Sequence, residues 1–117
     1  MNPHAAKKIL IIDDEYDLCF LLKSYLRSKN FDVDIANTLS AGIAKINNNE
    51  PDIVFLDNNL PDGSGWDKAA EILGTHPGLQ INLITGGSQS KPPLQITQNV
   101  NIIEKPLSLF EIDKAVA

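Results

Sequence analysis

The sequence has little of what several large classes of protein require. It holds one cysteine among 117 residues, so no disulfide can form within the chain. Its longest unbroken apolar run, Leu18–Leu22, has five residues, whereas a membrane-spanning helix needs about 20. The amino-terminal segment leads into only four apolar residues, too few for a signal peptide. We therefore expect a cytoplasmic protein that does not enter a membrane.

Basic residues are also few. Ten Lys and Arg stand against 15 Asp and Glu, which gives a formal net charge of −5 and a pI near 4.8. This net negative charge argues against electrostatic binding to nucleic acid or to an anionic membrane through a broad positively charged surface. The composition, 43% hydrophobic and 21% charged, is that of an ordinary globular protein. The length suits one core, so we expect a single domain over residues 1–117 with a flexible tail at 1–7.

Short apolar runs alternate with segments of helical periodicity. The runs Lys8–Ile12 and Asp52–Asp57 are typical of strands buried on both faces of a parallel sheet. Phe31–Ala36 alternates apolar and acidic residues, which indicates an edge strand with one wet face. Two further strands are predicted at Gln80–Thr85 and Asn101–Glu104. These five strands would form the sheet.

Segments with helical spacing separate the strands, and Cys19 lies in the first of them, where we expect it to be part of the core. The last helix begins at Ser108 with a capping-box spacing. Between the fourth and fifth strands, Pro92-Pro93 interrupts the pattern, so we expect a short or irregular fourth helix there. The apolar faces predicted for the other helices are Leu18, Leu21, Leu22, Tyr25 and Leu26; Leu39, Ile43 and Ile46; Trp66, Ala69, Ala70 and Leu73; and Leu109, Ile112 and Val116.

Strands that alternate with helices through short loops predict an α/β fold, with a parallel sheet, right-handed crossovers and helices on both faces. In such a fold, ligands bind beyond the carboxyl ends of the strands, where the strand order reverses. The residues that carry chemistry should therefore stand at the strand ends.

Chemically active side chains do stand at the predicted strand ends. Strand one ends in Asp13 and Asp14, strand three in Asp57, strand four in Thr85, and strand five is followed by Lys105. Two carboxylates about 4 Å apart repel by about 4 kcal/mol at an effective dielectric constant near 20, so this cluster calls for a cation. Oxygen ligands in small number favour Mg²⁺, and no Cys or His stands at a spacing that suits zinc. A metal, a carboxylate nucleophile, a lysine and a hydroxyl together indicate phosphoryl transfer.

Four sequence runs together resemble the receiver domain of bacterial two-component response regulators. They are Lys8–Glu15, Asp52–Gly65, Leu83–Gly86 and Ile103–Pro106, and the resemblance covers nearly the whole chain. It implies a flavodoxin-like, doubly wound, five-stranded parallel sheet in the order 2-1-3-4-5. It also implies five helices, of which the fourth is short or irregular here.

The resemblance assigns a role to each acidic residue of the cluster. Asp57 would be the phosphoacceptor, with a histidine kinase, a phosphotransfer protein or a small phosphodonor as its source. Asp14 and Asp57 would bind Mg²⁺ directly, together with the backbone carbonyl of Asn59, while Asp13 would act mainly through water. The domain would catalyse only its own phosphorylation and dephosphorylation.

The resemblance also implies which residues bind the phosphoryl group and transmit the signal. Lys105 would pair with the phosphoryl oxygens, and the Lys105–Pro106 bond is expected to be cis. Thr85 would move towards the phosphoryl group and bias the face formed by helix four, strand five and helix five. An attached output domain or a downstream protein would receive the signal.

Three positions depart from the pattern of the family. Ile102 stands where the family usually has an aromatic switch residue, Pro92-Pro93 lies in the region of helix four, and the polar Asn58 follows the phosphoacceptor. The metal and phosphoacceptor residues match the family, whereas the output face departs from it. This contrast motivates a second hypothesis, a receiver-like docking module that responds weakly to phosphorylation.

Two further alternatives follow from the residues. Asp13 and Asp14 could cap the first helix, since acidic residues favour helix amino termini. The chain could also be a magnesium phosphohydrolase with an aspartyl nucleophile. Such an enzyme would normally carry an acid/base carboxylate two residues beyond the nucleophile, where this chain has Asn59.

Overall fold

Strands and helices alternate throughout the part of the chain that the computed structural model describes, residues 6–86 and 99–117. No helix in these residues is long and apolar enough to cross a membrane. The elements in chain order are β1 (Lys8–Ile12), α1 (Tyr16–Ser28), β2 (Asp32–Ala36), α2 (Leu39–Asn49), β3 (Ile53–Asp57), β4 (Asn59–Leu60), β5 (Gly63–Ser64), α3 (Gly65–Thr75), β6 (Gln80–Thr85), β7 (Val100–Glu104) and α4 (Leu109–Val116).

Five strands form one parallel sheet in the order β2-β1-β3-β6-β7. Without the two-residue strands β4 and β5, which pair with each other, this is the predicted order 2-1-3-4-5. The edge position predicted for the second strand is confirmed as well. In register, Ile12 lies opposite Ala36 and Leu56, and Thr85 lies opposite Glu104. The carboxyl ends of the strands therefore come together at one edge of the sheet.

The core has two layers, one on each face of the sheet. Successive side chains of β1 alternate between them, because neighbouring residues of a strand point to opposite faces. Leu10 and Ile12 pack with residues of α2 and α3, whereas Ile9 and Ile11 pack with residues of α1 and α4. All five residues of β3 are buried. Burial on both faces explains why these strands are continuous apolar runs and not alternating ones.

Polar caps fix the ends of the helices. The hydroxyls of Thr38, Ser64 and Ser108 accept hydrogen bonds from backbone N–H groups in the first turns of α2, α3 and α4. Asn30 follows α1 with a φ of 72°, the left-handed conformation that commonly ends a helix. The capping role predicted for Ser108 is confirmed.

Some predicted helix faces are wrong in detail. Leu21 and Leu109 are 67% and 56% exposed, and Ala70 is exposed while Ile72 is buried. The reason is that the side of a helix that meets the sheet is set by tertiary packing, and an apolar residue next to this stripe is left outside it. Cys19 is buried as predicted, and burial raises the pKa of its thiol to about 12.

Two connections between strands of the sheet differ from simple loops or from the prediction. After β3, Asn59–Leu60 pairs with Gly63–Ser64 in a short antiparallel hairpin. The described residues contain four helices where five were predicted. The expected fourth helix, with Pro92-Pro93, falls in residues 87–98, which lie outside the described part of the chain.

The two glycines of α3 should respond in opposite ways to a methyl group. At Gly65 a Cβ would clash with the backbone oxygen of Asp57 and stand 2.8 Å from Leu56 Cδ1, whereas at Gly74 it would meet nothing within 4 Å. We expect Gly65→Ala to lower the free energy of unfolding by about 1–3 kcal/mol. Gly74→Ala should raise it by up to about 1 kcal/mol, since alanine favours the helix. Urea unfolding measures both, and equal effects would contradict the packing at Gly65.

Candidate functional site

Three carboxylates meet at the carboxyl edge of the sheet. Asp13 and Asp14 follow β1, Asp57 ends β3, and one oxygen of each lies within 4.8 Å of the others. Asp13 is fully buried and Asp57 is 3% exposed, whereas Asp14 is exposed. The cluster is therefore a pocket with a buried floor and one side open to solvent.

Hydrogen bonds to neighbouring segments hold Asp13 in place. Its backbone N–H donates to the carbonyl of Ala36 at 3.0 Å, and its carbonyl accepts from the Asn37 side chain at 2.9 Å. Its Oδ1 accepts from the backbone N–H of Glu15 at 2.9 Å. Glu15 is the N-cap residue of α1 and makes no capping bond with its side chain. Asp13 and Asp14 are thus not the N-cap, and the Asp13 carboxylate lies in the pocket.

Lys105 brings an ammonium group to the pocket from the end of β7. Its Nζ lies 2.7 Å from Glu15 Oε1, 3.4 Å from Asp13 Oδ2 and 3.9 Å from Asp57 Oδ1. Its backbone N–H donates to the carbonyl of Thr85 at 2.7 Å, which joins the ends of β6 and β7. The Lys105–Pro106 bond is cis, as predicted. One cation thus faces several carboxylates.

The electrostatics of the pocket follow from burial and from this crowding. Burial, and then the charge of Asp13, raise the pKa of Asp57 to about 6. Burial also raises the pKa of Asp13. Burial disfavours the charge of Lys105, but the hydrogen bond to Glu15 and the charges of Asp13 and Asp57 outweigh it, so the pKa of Lys105 is raised. The pocket therefore has an excess of negative charge that one lysine does not balance.

The donor set fits a hard divalent cation. Asp13 Oδ2 is buried and has no hydrogen-bond partner in the described residues, although the Lys105 ammonium lies 3.4 Å away. A buried carboxylate oxygen without such a partner is costly, and a bound cation would satisfy it. Three carboxylates that can share one ion, with one side open for water, suit Mg²⁺.

Hydrogen bonds hold the segment after Asp57 against β6 and the start of α3. Asn58 donates its backbone N–H to Ile84 and accepts from the backbone N–H of Gly65. Its side-chain oxygen accepts from the Ser64 hydroxyl at 2.6 Å, which explains the polar residue at this position. Backbone N–H groups of Asn58 and Asn59 lower the pKa of the Asp57 carboxyl and partly offset its burial. Asn59, the expected carbonyl ligand, thus lies beside Asp57.

Three further residues complete the description of the site. Thr85 ends β6 and is 7% exposed, next to the strand that Lys105 follows. Glu15 is the nearest carboxylate to Lys105, and the sequence reasoning did not assign it to the site. Its position directly after Asp13 and Asp14 was the available signal. Ile102, in place of an aromatic residue, is partly buried against the core layer that contains Leu83 and Trp66.

The fold and the site define a class of protein, a doubly wound α/β domain with an acidic cluster and a lysine at the carboxyl edge of its parallel sheet. Residues 9–117 match the family model of the response regulator receiver domain. The chain belongs to this family, the receiver domains of two-component response regulators.

Individual relatives agree with this assignment. The chain is 35% identical over 106 residues to the probable transcriptional regulatory protein TcrX of Mycobacterium tuberculosis, covering 89% of this chain and 45% of that protein. It is 32% identical over 93 residues to the acid tolerance regulatory protein ActR of Rhizobium meliloti, covering 73% of this chain and 48% of ActR. The chain thus spans about half the length of these relatives.

Solved structures agree as well. A CheY-like receiver domain from Methanospirillum hungatei superposes with a TM-score of 0.86 at 26% identity, covering 95% of this chain and 90% of that one. The response regulator TrrA of Thermotoga maritima, solved in complex with Mg²⁺ and BeF, superposes with a TM-score of 0.83 at 28% identity, covering 94% of this chain and 96% of TrrA.

The raised pKa of Asp57 predicts how stability changes with pH without metal. Its folded-state value of about 6 exceeds the ordinary 3.8, so the folded protein binds this proton more tightly than the unfolded chain. This tighter proton binding raises the free energy of unfolding by at most about 3 kcal/mol. The full contribution is present below about pH 4 and is lost as the pH rises through about 6. Asp57→Asn should therefore stabilise the metal-free protein at about pH 7.5 and much less at about pH 4.5.

Urea unfolding in the presence of a chelator measures this difference. Asp32→Asn is the matched control, because Asp32 is an exposed carboxylate on the edge strand β2. It should change the free energy of unfolding little at either pH. A stabilisation by Asp57→Asn that is the same at both pH values would contradict the account of the pocket.

Proposed function

We propose that this chain is a phosphorylation-controlled signalling domain that takes a phosphoryl group onto Asp57 with the help of Mg²⁺. The observation that carries the proposal is the convergence of Asp13, Asp14 and Asp57 within 4.8 Å, beside the ammonium of Lys105. The family of the chain and its likeness to a receiver solved with Mg²⁺ and BeF support it.

The proposed reaction is a displacement at phosphorus. An oxygen of the Asp57 carboxylate forms a new P–O bond, and the bond from phosphorus to the donor breaks: P–N for a phosphohistidine, P–O for an acyl phosphate. The electron pair of the broken bond leaves with the donor, and the product on this chain is an aspartyl phosphate. No oxidant or second substrate is needed.

The charges of the pocket suit this step. Asp14, Asp57 and the carbonyl of Asn59 would hold Mg²⁺, with Asp13 acting mainly through water. The ion would supply positive charge for the phosphoryl oxygens. Lys105 would provide a second positive charge on the same oxygens. Before phosphorylation, the salt bridge of Lys105 to Glu15 keeps the ammonium near the pocket.

Thr85 and Lys105 would carry the signal away from Asp57. The backbone hydrogen bond between them couples the ends of β6 and β7, so that a movement of one strand end affects the other. We propose that phosphorylation biases the surface next to β7 and α4 through this pair. A histidine kinase or phosphotransfer protein would be the donor, in the cytoplasm, and an output domain or a separate protein the recipient. The domain itself would bind neither nucleic acid nor a membrane directly.

Ile102 favours a second candidate, a docking module that scarcely responds to phosphorylation. Its side chain packs against the core and carries no aromatic ring that could change rotamer with Thr85. The two candidates differ in the amide NMR spectrum of the phosphorylated protein. Shifts in β7 and α4 support signalling, whereas shifts confined to the loops around Asp57 support docking.

Asp57 should be the only site of phosphorylation. Incubation with Mg²⁺ and an acyl phosphate should add one phosphoryl group to the wild-type chain, measured by intact mass. Asp57→Ala should remove the addition, and a chelator should reduce it strongly, because both the nucleophile and the metal are needed. Asp32→Asn, which keeps the pocket intact, should be labelled like the wild type. Equal labelling of Asp57→Ala would overturn the assignment.

A further inference from the structure

The hairpin β4–β5, which carries Asn59, is tied to the amino terminus of α2. At its tip, Asp62 accepts two hydrogen bonds, from the backbone N–H of Leu39 to Oδ1 at 2.7 Å and from that of Ser40 to Oδ2 at 2.9 Å. These bonds, of Ser40 first and then Leu39, lower the pKa of the Asp62 carboxyl. A carboxylate on the amino terminus of a helix is well placed for both hydrogen bonding and the helix dipole.

The segment that leads into α2, residues 36–40, also binds the backbone of Asp13 in the acidic pocket. Ala36 accepts from the backbone N–H of Asp13, and Asn37 donates its side-chain amide to the carbonyl of Asp13. Residues 36–40 thus bind the Asp13 segment at one end and the hairpin tip at the other.

Apolar contacts make the connection at the hairpin more rigid. Leu60 and Leu39 are buried in the same core layer. A Cβ at Gly63, where φ is 150°, would stand 3.2 Å from Leu39 Cδ2. The hairpin tip therefore lies close against α2, and the Asp62 carboxylate sets its position there.

We propose that Asp62 is a positioning residue, which holds the Asn59 hairpin at a fixed place relative to Asp13 and thereby sets the affinity of the pocket for Mg²⁺. This inference rests on the proposed function, because it takes the pocket to bind Mg²⁺. Asp62 lies at the hairpin tip, does not belong to the acidic cluster and acts only through the hairpin backbone. Mutation of a residue that orients a metal ligand without binding the metal commonly weakens metal binding by about tenfold or more.

The test compares two variants at the same helix end. Asp62→Ala removes the tie between the hairpin and α2. Thr38→Ala removes a capping bond of α2, from the Ala41 N–H at 3.1 Å, but leaves the hairpin bonds intact. Titration of the full chain with MgCl₂ by calorimetry should show about tenfold weaker binding for Asp62→Ala. Thr38→Ala should bind within about twofold of the wild type, and Asp62→Asn, which keeps one acceptor, should fall in between.

Amide hydrogen exchange without metal gives a second measurement. The amides of Leu39, Ser40 and the hairpin should exchange faster in Asp62→Ala, whereas those of the hairpin should be unchanged in Thr38→Ala. If Asp62→Ala does not fold, Asp62→Asn carries both measurements. Equal Mg²⁺ affinity of the wild type and the Asp62 variants, or equal weakening by Thr38→Ala, overturns the role of Asp62 and leaves the proposed function standing. A wild-type chain that binds no Mg²⁺ overturns both.

Discussion

Like charges are confined at the carboxyl end of a buried sheet, and the surrounding fold holds them there. Asp13 and Asp57 have almost no exposure to solvent, Asp14 joins them from the open side, and Lys105 is the ammonium group that faces them. Burial and mutual repulsion both penalise this arrangement, which would be unfavourable in a protein selected for stability alone. This cost supports the proposal that the pocket binds a cation and, through the cation and the lysine, a phosphoryl group.

The rest of the fold holds these groups in place. The buried strands β1 and β3 are apolar on both faces, so their ends are fixed by the core and not by the charges they carry. Gly65 approaches the Asp57 carbonyl more closely than any larger residue could, and Asn58 links the end of β3 to the start of α3. Residues 36–40 are hydrogen-bonded both to the Asp13 backbone and to Asp62 of the hairpin. Rigid surroundings of this kind keep the carboxylates close together despite their repulsion.

Much of this arrangement could be predicted from the sequence, because continuous apolar runs mark buried parallel strands and because strand ends of such a sheet converge. The sheet order came from the resemblance to a family, and the structure confirms it. The exposure of Leu21 and Leu109 could not be predicted, since it depends on which side of each helix meets the sheet. The contacts of Glu15 with Lys105 and of Asp62 with α2 join residues far apart in sequence, and no local pattern indicates them. The order of residues along the chain thus predicted which side chains meet in the pocket, whereas only the tertiary structure shows the contacts that hold them.

Cation binding in the acidic pocket is tested by an amide NMR titration of the metal-free protein with MgCl₂. We expect saturable shifts at Asp13, Asp14, Asp57 and the hairpin that follows, with little change at the opposite edge of the sheet around His76. Absence of saturable shifts at the three aspartates, or shifts centred elsewhere on the protein, would contradict it.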